Sequence, residues 1–259
     1  MHPNMMLWQF LVTFTCINNK VLAEELEGYI VGGERVPIDL YPHAVFLDVI
    51  CSMSITWICG ASIVNQHFTV TAAHCVVECT TNGHISVAVG HENRNRGVIS
   101  SAFKYKTHED YNDSTLSSDI ALVRLRTPFE FGQYVKRAIV MRKPPRDNVA
   151  YVAGWGLIDE INEIPTSWLK HAQQRVFSME ECKQILREIP KYTFCAGSES
   201  GNDYAAGGDS GSGLVIKDFI LIGLVSYKQP FLSKHVIVYT NVTHFYGWLS
   251  RSTRNMYCG

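Results

Sequence analysis

The sequence predicts a mostly β-stranded protein that ends in an α-helix. Short apolar segments recur along the chain between Gly, Asn, Pro and Ser residues, and their length and β-branched content favour strands. The clearest of these segments are 85–89, 120–123, 219–225 and 235–239. Near the C-terminus, Val242, Phe245, Tyr246 and Leu249 follow the i, i+3, i+4, i+7 spacing of one apolar helix face. This spacing predicts the C-terminal helix.

A second, short helix is predicted in the middle of the chain. Ser178-Met-Glu-Glu181 has the form of a capping box, in which a Ser side chain and a Glu side chain three residues later satisfy each other's backbone amides. The helix that it opens is expected to run through Leu186.

The composition indicates the size of the fold and which classes of binding partner are not expected. The 259 residues suffice for one large domain or two small ones, and 46% hydrophobic with 18% charged residues predicts a filled core. Lys and Arg number 23 against 24 Asp and Glu, without a basic block, so a nucleic-acid partner is not expected. No apolar run reaches the roughly 18 residues of a membrane-spanning helix, so no membrane partner is expected either.

The first 23 residues have the features of a secretory signal peptide. Residues 5–17 are mostly apolar, and Val21-Leu22-Ala23 offers small residues for cleavage. A buried N-terminal helix is the alternative. We interpret 1–23 as the signal peptide and expect a secreted, extracellular protein.

The cysteines agree with an exported chain. Cys16 falls in the signal peptide, which leaves Cys51, Cys59, Cys75, Cys79, Cys182, Cys195 and Cys258. None forms a C-x-x-C pair or a zinc-type spacing with His, so disulfides are expected and no metal or cofactor is predicted. Seven is an odd number, so one thiol is spare or bonds another chain, and Cys258 beside the terminus is the best candidate.

A serine between glycines is the first candidate for chemistry. In Gly207-Gly-Asp-Ser-Gly-Ser-Gly213, the flexible backbone could approach a substrate closely, and the amides of Gly208 and Ser210 could bind an oxyanion. Taken alone, such a cluster is more often a turn.

A histidine and an aspartate supply the other candidates. His74, in Thr71-Ala-Ala-His-Cys75, could serve as the base that a hydroxyl nucleophile needs. Asp119 borders the apolar strand Ile120–Leu125 and could hold His74 in one tautomer, whereas its alternative role is that of a turn residue. Each is weak evidence by itself.

Together the three motifs, in the order His, Asp, Ser, resemble the chymotrypsin/trypsin-like serine protease family. Further motifs match in register from about Ile30 to Trp248: Ile30–Gly33, Cys59–Ser62, Gly154–Gly156, Cys182 with Cys195, and Val238–Val242. The resemblance implies an all-β fold of two six-stranded antiparallel β-barrels with a C-terminal α-helix. It implies a secreted serine endopeptidase that hydrolyses peptide bonds through an acyl-enzyme, with peptide or protein substrates and possible protein inhibitors as partners.

The same resemblance assigns roles to residues. Ser210 would attack, His74 would transfer the proton, Asp119 would orient His74, and the amides of Gly208 and Ser210 would form the oxyanion hole. Ser226 would support Asp119 and offer backbone to the substrate. The family's disulfides imply Cys59–Cys75 and Cys182–Cys195, and Cys51 with Cys79 is our expectation for a nested bridge.

An activation step is also implied. Residues 24–29 would form a short propeptide ahead of a protease domain at 30–259, and cleavage before Ile30 would free an α-ammonium that inserts beside Asp209. Such a buried ion pair can lock the oxyanion loop, because neither charge tolerates burial alone. Tyr29 stands where the family usually has Arg or Lys. Our hypothesis is that a chymotrypsin-like protease, or the enzyme itself, cuts after Tyr29.

The specificity pocket departs from the family pattern. Ala206 replaces a family cysteine, and no Cys in 228–234 could partner one. Tyr204 stands where trypsins carry the Asp that binds Lys or Arg, and Asp203 could replace it only if the loop is shifted by one residue. Three further substrate-binding positions are expected to differ: Tyr227 and Lys228 follow Ser226, and Ile237 replaces a pocket-wall glycine.

These changes predict a non-tryptic enzyme. A deep slot for a long basic or aromatic side chain is obstructed by Ile237, and Lys228 is expected to place a cation at its rim. We therefore expect a shallow pocket for small residues, a preference for acidic residues, or very weak activity. The alternative function is a weakly active or inactive homologue that binds partners, whereas an esterase is disfavoured because its G-x-S-x-G elbow follows a different chain order.

Overall fold

The computed structural model describes residues 30–51, 56–78 and 83–258. Its first eight strands are β1 (Glu34–Arg35), β2 (Ala44–Ile50), β3 (Thr56–Asn65), β4 (Phe68–Thr71), β5 (His84–Val89), β6 (Val98–Thr107), β7 (Ala121–Leu125) and β8 (Ile139–Val140). The next eight are β9 (Val149–Gly154), β10 (Leu157–Asp159), β11 (Ile164–Pro165), β12 (Lys170–Val176), β13 (Thr193–Gly197), β14 (Gly213–Ile216), β15 (Ile220–Gln229) and β16 (Ser233–Asn241). Two α-helices follow strands β12 and β16: α1 (Met179–Leu186) and α2 (Tyr246–Cys258). The predicted signal peptide, the predicted propeptide and Cys79 lie outside the described residues.

Twelve of these strands form two closed antiparallel barrels. The first barrel has the order β2-β3-β4-β7-β6-β5 and closes through the pairing of β5 with β2. The second has the order β9-β12-β13-β16-β15-β14 and closes because β9 pairs with both β12 and β14. Strand β1 adds to β12, β8 runs parallel to β15, and β10 and β11 form a separate hairpin. The expectation of two six-stranded barrels with a C-terminal helix is confirmed.

The alternation of side chains along the first-barrel strands creates two cores. On β2, Val45, Leu47 and Val49 point into the first barrel, whereas Ala44 and Phe46 point toward the second. This is the period-two pattern of a strand that is buried on both faces. On β4 and β7, the side chains that point away from the first barrel also pack against the second. They are Phe68, Val70 and Leu122, and they pack with Leu221 and Leu224 of β15. The catalytic candidates lie along this junction between the barrels.

The helices differ in how well the sequence predicts them. Helix α1 begins as expected: Ser178 Oγ accepts from the Glu181 amide at 3.2 Å, and Glu181 Oε2 accepts from the Ser178 amide at 2.8 Å. Helix α2 begins at Tyr246 rather than at Val242. The reason is Asn241, whose side-chain oxygen accepts from the Thr243 amide at 3.1 Å and holds the chain in a turn. Neither α1 nor α2 nor any other helix in the described ranges is long and apolar enough to cross a membrane.

Two disulfides fix neighbouring parts of the fold. Cys59 of β3 is bonded to Cys75, and Cys182 of α1 is bonded to Cys195 of β13. Cys258, at the end of α2, is an exposed free thiol. The bridge of Cys51 with Cys79 stays a prediction, because Cys79 is outside the described residues.

Candidate active site

His74 is positioned by a short turn that the Cys59–Cys75 disulfide anchors. Strand β4 ends at Thr71, and the chain then forms one turn of 3-10 helix at Ala73–Cys75. Trp57 of β3 donates its indole N–H to the Cys75 carbonyl at 2.9 Å, which is a second tie between the turn and β3. The side chain of His74 is 25% exposed, so one edge of the imidazole remains open to the cleft.

Asp119 lies just before β7 and is fully buried. Its carboxylate accepts three hydrogen bonds: from the His74 amide at 3.0 Å, from His74 Nδ1 at 2.9 Å and from Ser226 Oγ at 2.5 Å. Its own carbonyl accepts from Thr240 Oγ1 at 2.8 Å. Because Ser226 and Thr240 belong to the second barrel, Asp119 ties that barrel to His74. Three donors offset the cost of burying the charge.

The Asp119 carboxylate makes His74 a better base. Burial of the imidazole acts to lower the pKa of His74, but the hydrogen bond and the negative charge of Asp119 outweigh it, so the pKa is raised above its usual value. With Nδ1 donating to Asp119, Nε2 is left as the proton acceptor.

Ser210 reaches the same place from the second barrel. Its carbonyl accepts from the Gly60 amide of β3 at 2.7 Å, so the serine loop is docked on the first barrel. The sulfur of Cys75 lies 3.6 Å from that carbonyl oxygen and 3.9 Å from His74 Nε2. Ser210 and His74 therefore border the same sulfur atom. No hydrogen bond joins their two side chains in the part of the chain that the structure describes, and such bonds often tighten only when substrate is bound.

The amides of Gly208 and Ser210 are free to bind an anion. Within the described residues neither N–H donates to a protein group, although the neighbouring amides of Asp209 and Gly211 donate to Ala206 and Val225. Gly208 has φ +91°, and a Cβ there would lie 2.8 Å from Ile58 Cδ1. Only glycine fits this backbone, which is why the sequence has Gly at this position.

Asp209 and Ile30 are both fully buried. The Asp209 carboxylate accepts from the Gly156 amide at 2.9 Å and from the Ala206 amide at 3.0 Å. Burial nevertheless raises the pKa of Asp209 to about 6. The segment Ile30–Gly32 packs against β10, which directly follows Gly156. The charge of Lys228 acts to lower the pKa of Asp209 and that of Glu160 acts to raise it, and burial outweighs both. Among the described residues no cation is hydrogen-bonded to Asp209, which lies near the segment in which the proposed cleavage would create an ammonium.

Lys228, one of the predicted pocket residues, forms an ion pair with Glu160. Lys228 Nζ lies 2.5 Å from Glu160 Oε1, 3.5 Å from the Ala205 carbonyl oxygen and 4.5 Å from the centre of the Tyr204 ring. The ammonium therefore lies against Tyr204 and Ala205, on the segment that leads to Ser210, and its position at the pocket rim stays a prediction. Burial and the charge of Glu160 raise the pKa of Tyr204.

The other pocket residues have separate surroundings. Ile237 is buried in the second barrel and pairs with Lys228 across the sheet, whereas Tyr227 is half-buried and packs near the Cys182–Cys195 disulfide. The side chain of Asp203 accepts a hydrogen bond at Oδ2 from Ser200 Oγ at 3.3 Å. The alternative in which Asp203 anchors a basic substrate residue stays a prediction.

Two residues of this region escaped sequence reasoning. Glu160 lies in the turn between β10 and β11 and belongs to no motif, so the sequence carried no signal for its contact with Lys228. Thr240 lies in β16 and within the Val238–Val242 motif, but that motif did not indicate its bond to Asp119.

One group of possible metal ligands comes together among the described residues, namely Cys59, His74 and Cys75. The two sulfurs are bonded to each other in a disulfide, so they are not the thiolates that a metal ion would bind.

Comparisons with known proteins agree with this geometry. The family model described as Trypsin matches residues 30–249. Trypsin delta of Drosophila erecta is 31% identical over 239 residues, which are 89% of this chain and 91% of that protein. Chymotrypsin of Phaedon cochleariae is 28% identical over 244 residues, covering 90% of this chain and 84% of the relative.

Solved structures share the fold. HL collagenase superposes with a TM-score of 0.76 at 24% identity and covers 86% of this chain and 98% of its own. A scabies mite inactivated protease paralogue, S-D1, superposes with a TM-score of 0.77 at 23% identity, covering 87% and 97%. At these identities the likeness concerns the fold alone.

Proposed function

Because the chain belongs to the trypsin family of serine proteases, we propose that it is a secreted serine endopeptidase with a non-tryptic specificity pocket, made as a zymogen. The observation that supports it most is the bond from His74 Nδ1 to the buried Asp119 carboxylate, 2.9 Å long, beside Ser210 and two free amides. These are the parts that acyl transfer requires.

The proposed reaction uses each of these parts. Ser210 Oγ attacks the scissile carbonyl carbon while His74 Nε2 takes the hydroxyl proton, and Asp119 stabilises the resulting imidazolium. The carbonyl oxygen becomes an oxyanion that accepts from the amides of Gly208 and Ser210. The C–N bond then breaks as His74 gives its proton to the leaving amine. Water attacks the acyl-enzyme by the same proton transfers and releases Ser210.

Activation would couple the chain's new N-terminus to the oxyanion loop. Cleavage after Tyr29 would give Ile30 an α-ammonium next to the segment around Gly156 that already contacts Asp209. Pairing with that ammonium would satisfy the buried carboxylate and hold Gly208 and Ser210 in place. N-terminal sequencing of the secreted, active protein should give Ile30 as its first residue, and any other start would contradict this step.

The Lys228–Glu160 pair favours a second candidate, a weakly active or inactive homologue that binds partners. The pair lies against Tyr204 and Ala205, and a long substrate side chain that enters there would have to displace it. We give precedence to the enzyme because His74, Asp119, Ser210 and Gly208 are all present in the sequence and because His74 is bonded to Asp119.

A fluorophosphonate probe, which reacts with activated serine hydroxyls, separates the two candidates. Cleaved protein should be labelled at Ser210, and Ser210→Ala should abolish the labelling. Ser212→Ala is the matched control, since it removes the other serine of the motif and should leave the labelling intact. Failure of the cleaved wild-type protein to react would favour the binding protein.

A further inference from the structure

The ammonium of Lys228 is the one positive charge placed among the described residues that line the predicted pocket. Its side chain is 15% exposed, and it contacts the Ala205 carbonyl and the face of Tyr204 as well as Glu160. Residues Tyr204 and Ala205 belong to the segment that leads to Ser210, and Lys228 follows Ser226, which supports Asp119. A substrate side chain that enters beside Ser210 would therefore meet this cation.

Glu160 reaches Lys228 from another part of the chain. It lies in the turn between β10 and β11, and 68 residues separate it from Lys228. Its side chain is 29% exposed, so the carboxylate lies between the pocket and solvent. Among the described residues, Glu160 contacts Lys228 through this ion pair and Tyr204 through a side-chain hydrogen bond. Both contacts are polar, so Glu160→Gln changes the charge and leaves the size of the side chain nearly the same.

We propose that Glu160 is a specificity-determining residue, whose carboxylate occupies the position on Lys228 that the carboxylate of a substrate Asp or Glu would take. The proposal rests on the proposed function, because it assigns the pocket to the side chain that precedes the scissile bond. A carboxylate from the substrate would gain a charge-assisted hydrogen bond only by displacing Glu160. Basic side chains are repelled by Lys228, and small neutral ones leave the pair intact.

Removal of the Glu160 charge should convert the pocket into an acidic one. In Glu160→Gln, Lys228 keeps its cation–π contact with Tyr204 but loses its hydrogen-bonded carboxylate, so an acidic substrate residue supplies the missing partner. The charge that is removed lies on a partly exposed turn residue outside the barrel strands. Glu163→Gln is the matched control: it makes the same change three residues away, on an exposed side chain of the same turn.

The experiment measures kcat/KM of the cleaved proteins on paired peptides that differ only by Asp or Asn before the scissile bond. We expect the Asp/Asn ratio to rise at least about ten-fold in Glu160→Gln, equivalent to about 1.4 kcal/mol, and to stay at the wild-type value in Glu163→Gln. Adding Lys228→Met to Glu160→Gln should abolish the gain. An unchanged ratio in Glu160→Gln, or an equal rise in Glu163→Gln, would overturn the proposal.

Two further measurements keep this proposal separate from the proposed function. Fluorophosphonate labelling of every variant reports Ser210 reactivity independently of the pocket, so labelled proteins with an unchanged ratio refute the role of Glu160 alone. Calorimetric binding of amidated peptides ending in Asp or Asn reports the pocket without turnover. Absence of labelling together with tighter binding of the Asp peptide by Glu160→Gln would refute the enzyme and retain the pocket assignment.

Discussion

Asp119 and Asp209 are two fully buried carboxylates in the same cleft, and they are satisfied in different ways. Asp119 has two donors from His74 and one from Ser226, all present in the folded chain. Asp209 has two backbone amides, from Gly156 and Ala206, and its pKa is raised to about 6 by burial. The first site is complete, whereas the second is short of a positive charge.

The difference separates the part of the machinery that is complete in this structure from the part that the proposed cleavage would complete. The Asp119–His74 pair is built from the strands and turns of the two barrels, so it forms when the chain folds. The Asp209 site lies near the segment Ile30–Gly32, whose first residue would gain an α-ammonium in the proposed cleavage. We therefore expect changes at Asp119 to act on the chemical step and changes at Asp209 to act on stability and activation.

The sharpest test of the complete site is Asp119→Asn. The amide side chain retains the shape but cannot stabilise the imidazolium, and it favours the wrong tautomer of His74, so kcat should fall by about 10⁴-fold. The measurement is steady-state hydrolysis of a peptide that the wild-type protein cleaves. Asp113→Asn is the control, because it removes a nearby charge that interacts with His74 without a hydrogen bond to it. An equal decrease of kcat in Asp119→Asn and Asp113→Asn would show that catalysis depends on negative charge near His74 and not on the hydrogen bond to Nδ1.

The complete site is also the part that the sequence predicts best. His74 and Asp119 lie in local motifs, at Thr71–Cys75 and Ser118–Leu125, which carry a cysteine and an apolar strand, and the family resemblance assigns Ser226 its supporting role. The barrels and the two described disulfides follow from the same family resemblance. The true start of α2 does not, since it depends on the Asn241 side chain capping a turn.

The pocket could be predicted only as a departure from the pattern. The sequence shows that Tyr204, Lys228 and Ile237 differ from the usual residues, but it does not show where a long flexible side chain ends. The ammonium of Lys228 lies where Glu160, from a distant turn, and Tyr204 meet it. Such contacts depend on the path of the β10–β11 turn, and single charged loop residues carry no pattern that could reveal them.

The incomplete site predicts an unusual pH dependence of the uncut protein. The pKa of Asp209 is about 6 in the folded chain against an ordinary value of 3.8, so the folded state binds this proton more tightly than the unfolded state. The Asp209 carboxyl therefore adds on the order of 3 kcal/mol to the free energy of unfolding below about pH 4, and this contribution is lost as the pH rises through about 6. Urea unfolding between pH 4 and 7 should show this decrease in the wild type and not in Asp209→Asn.

Cleavage before Ile30 should reverse that trend. An α-ammonium beside Asp209 favours the charged carboxylate and lowers its pKa, so cleaved protein should gain stability relative to Asp209→Asn as the pH rises from 4 to 7. The same urea-unfolding series between pH 4 and 7, performed on the cleaved protein, measures this gain in stability. Identical pH slopes for the wild type and Asp209→Asn in the uncut form would mean that Asp209 is already paired.

The smallest expected effect separates the two bonds that tie Asp119 to the second barrel. Ser226 Oγ donates to the carboxylate, whereas Thr240 Oγ1 donates to the backbone carbonyl. Ser226→Ala removes a hydrogen bond to a charged group, worth about 2 kcal/mol, so kcat/KM should fall about 10- to 100-fold. Without the Ser226 donor, the negative charge of Asp119 is less stabilised and interacts more strongly with the imidazolium of His74, so the acid limb of the pH–rate profile should move to higher pH as the pKa of His74 rises. Thr240→Val should cost about 1 kcal/mol of stability and leave that profile in place. If Ser226→Ala and Thr240→Val shift the acid limb equally, the second barrel affects His74 only by fixing the position of Asp119. The hydroxyl of Ser226 then has no separate electrostatic role.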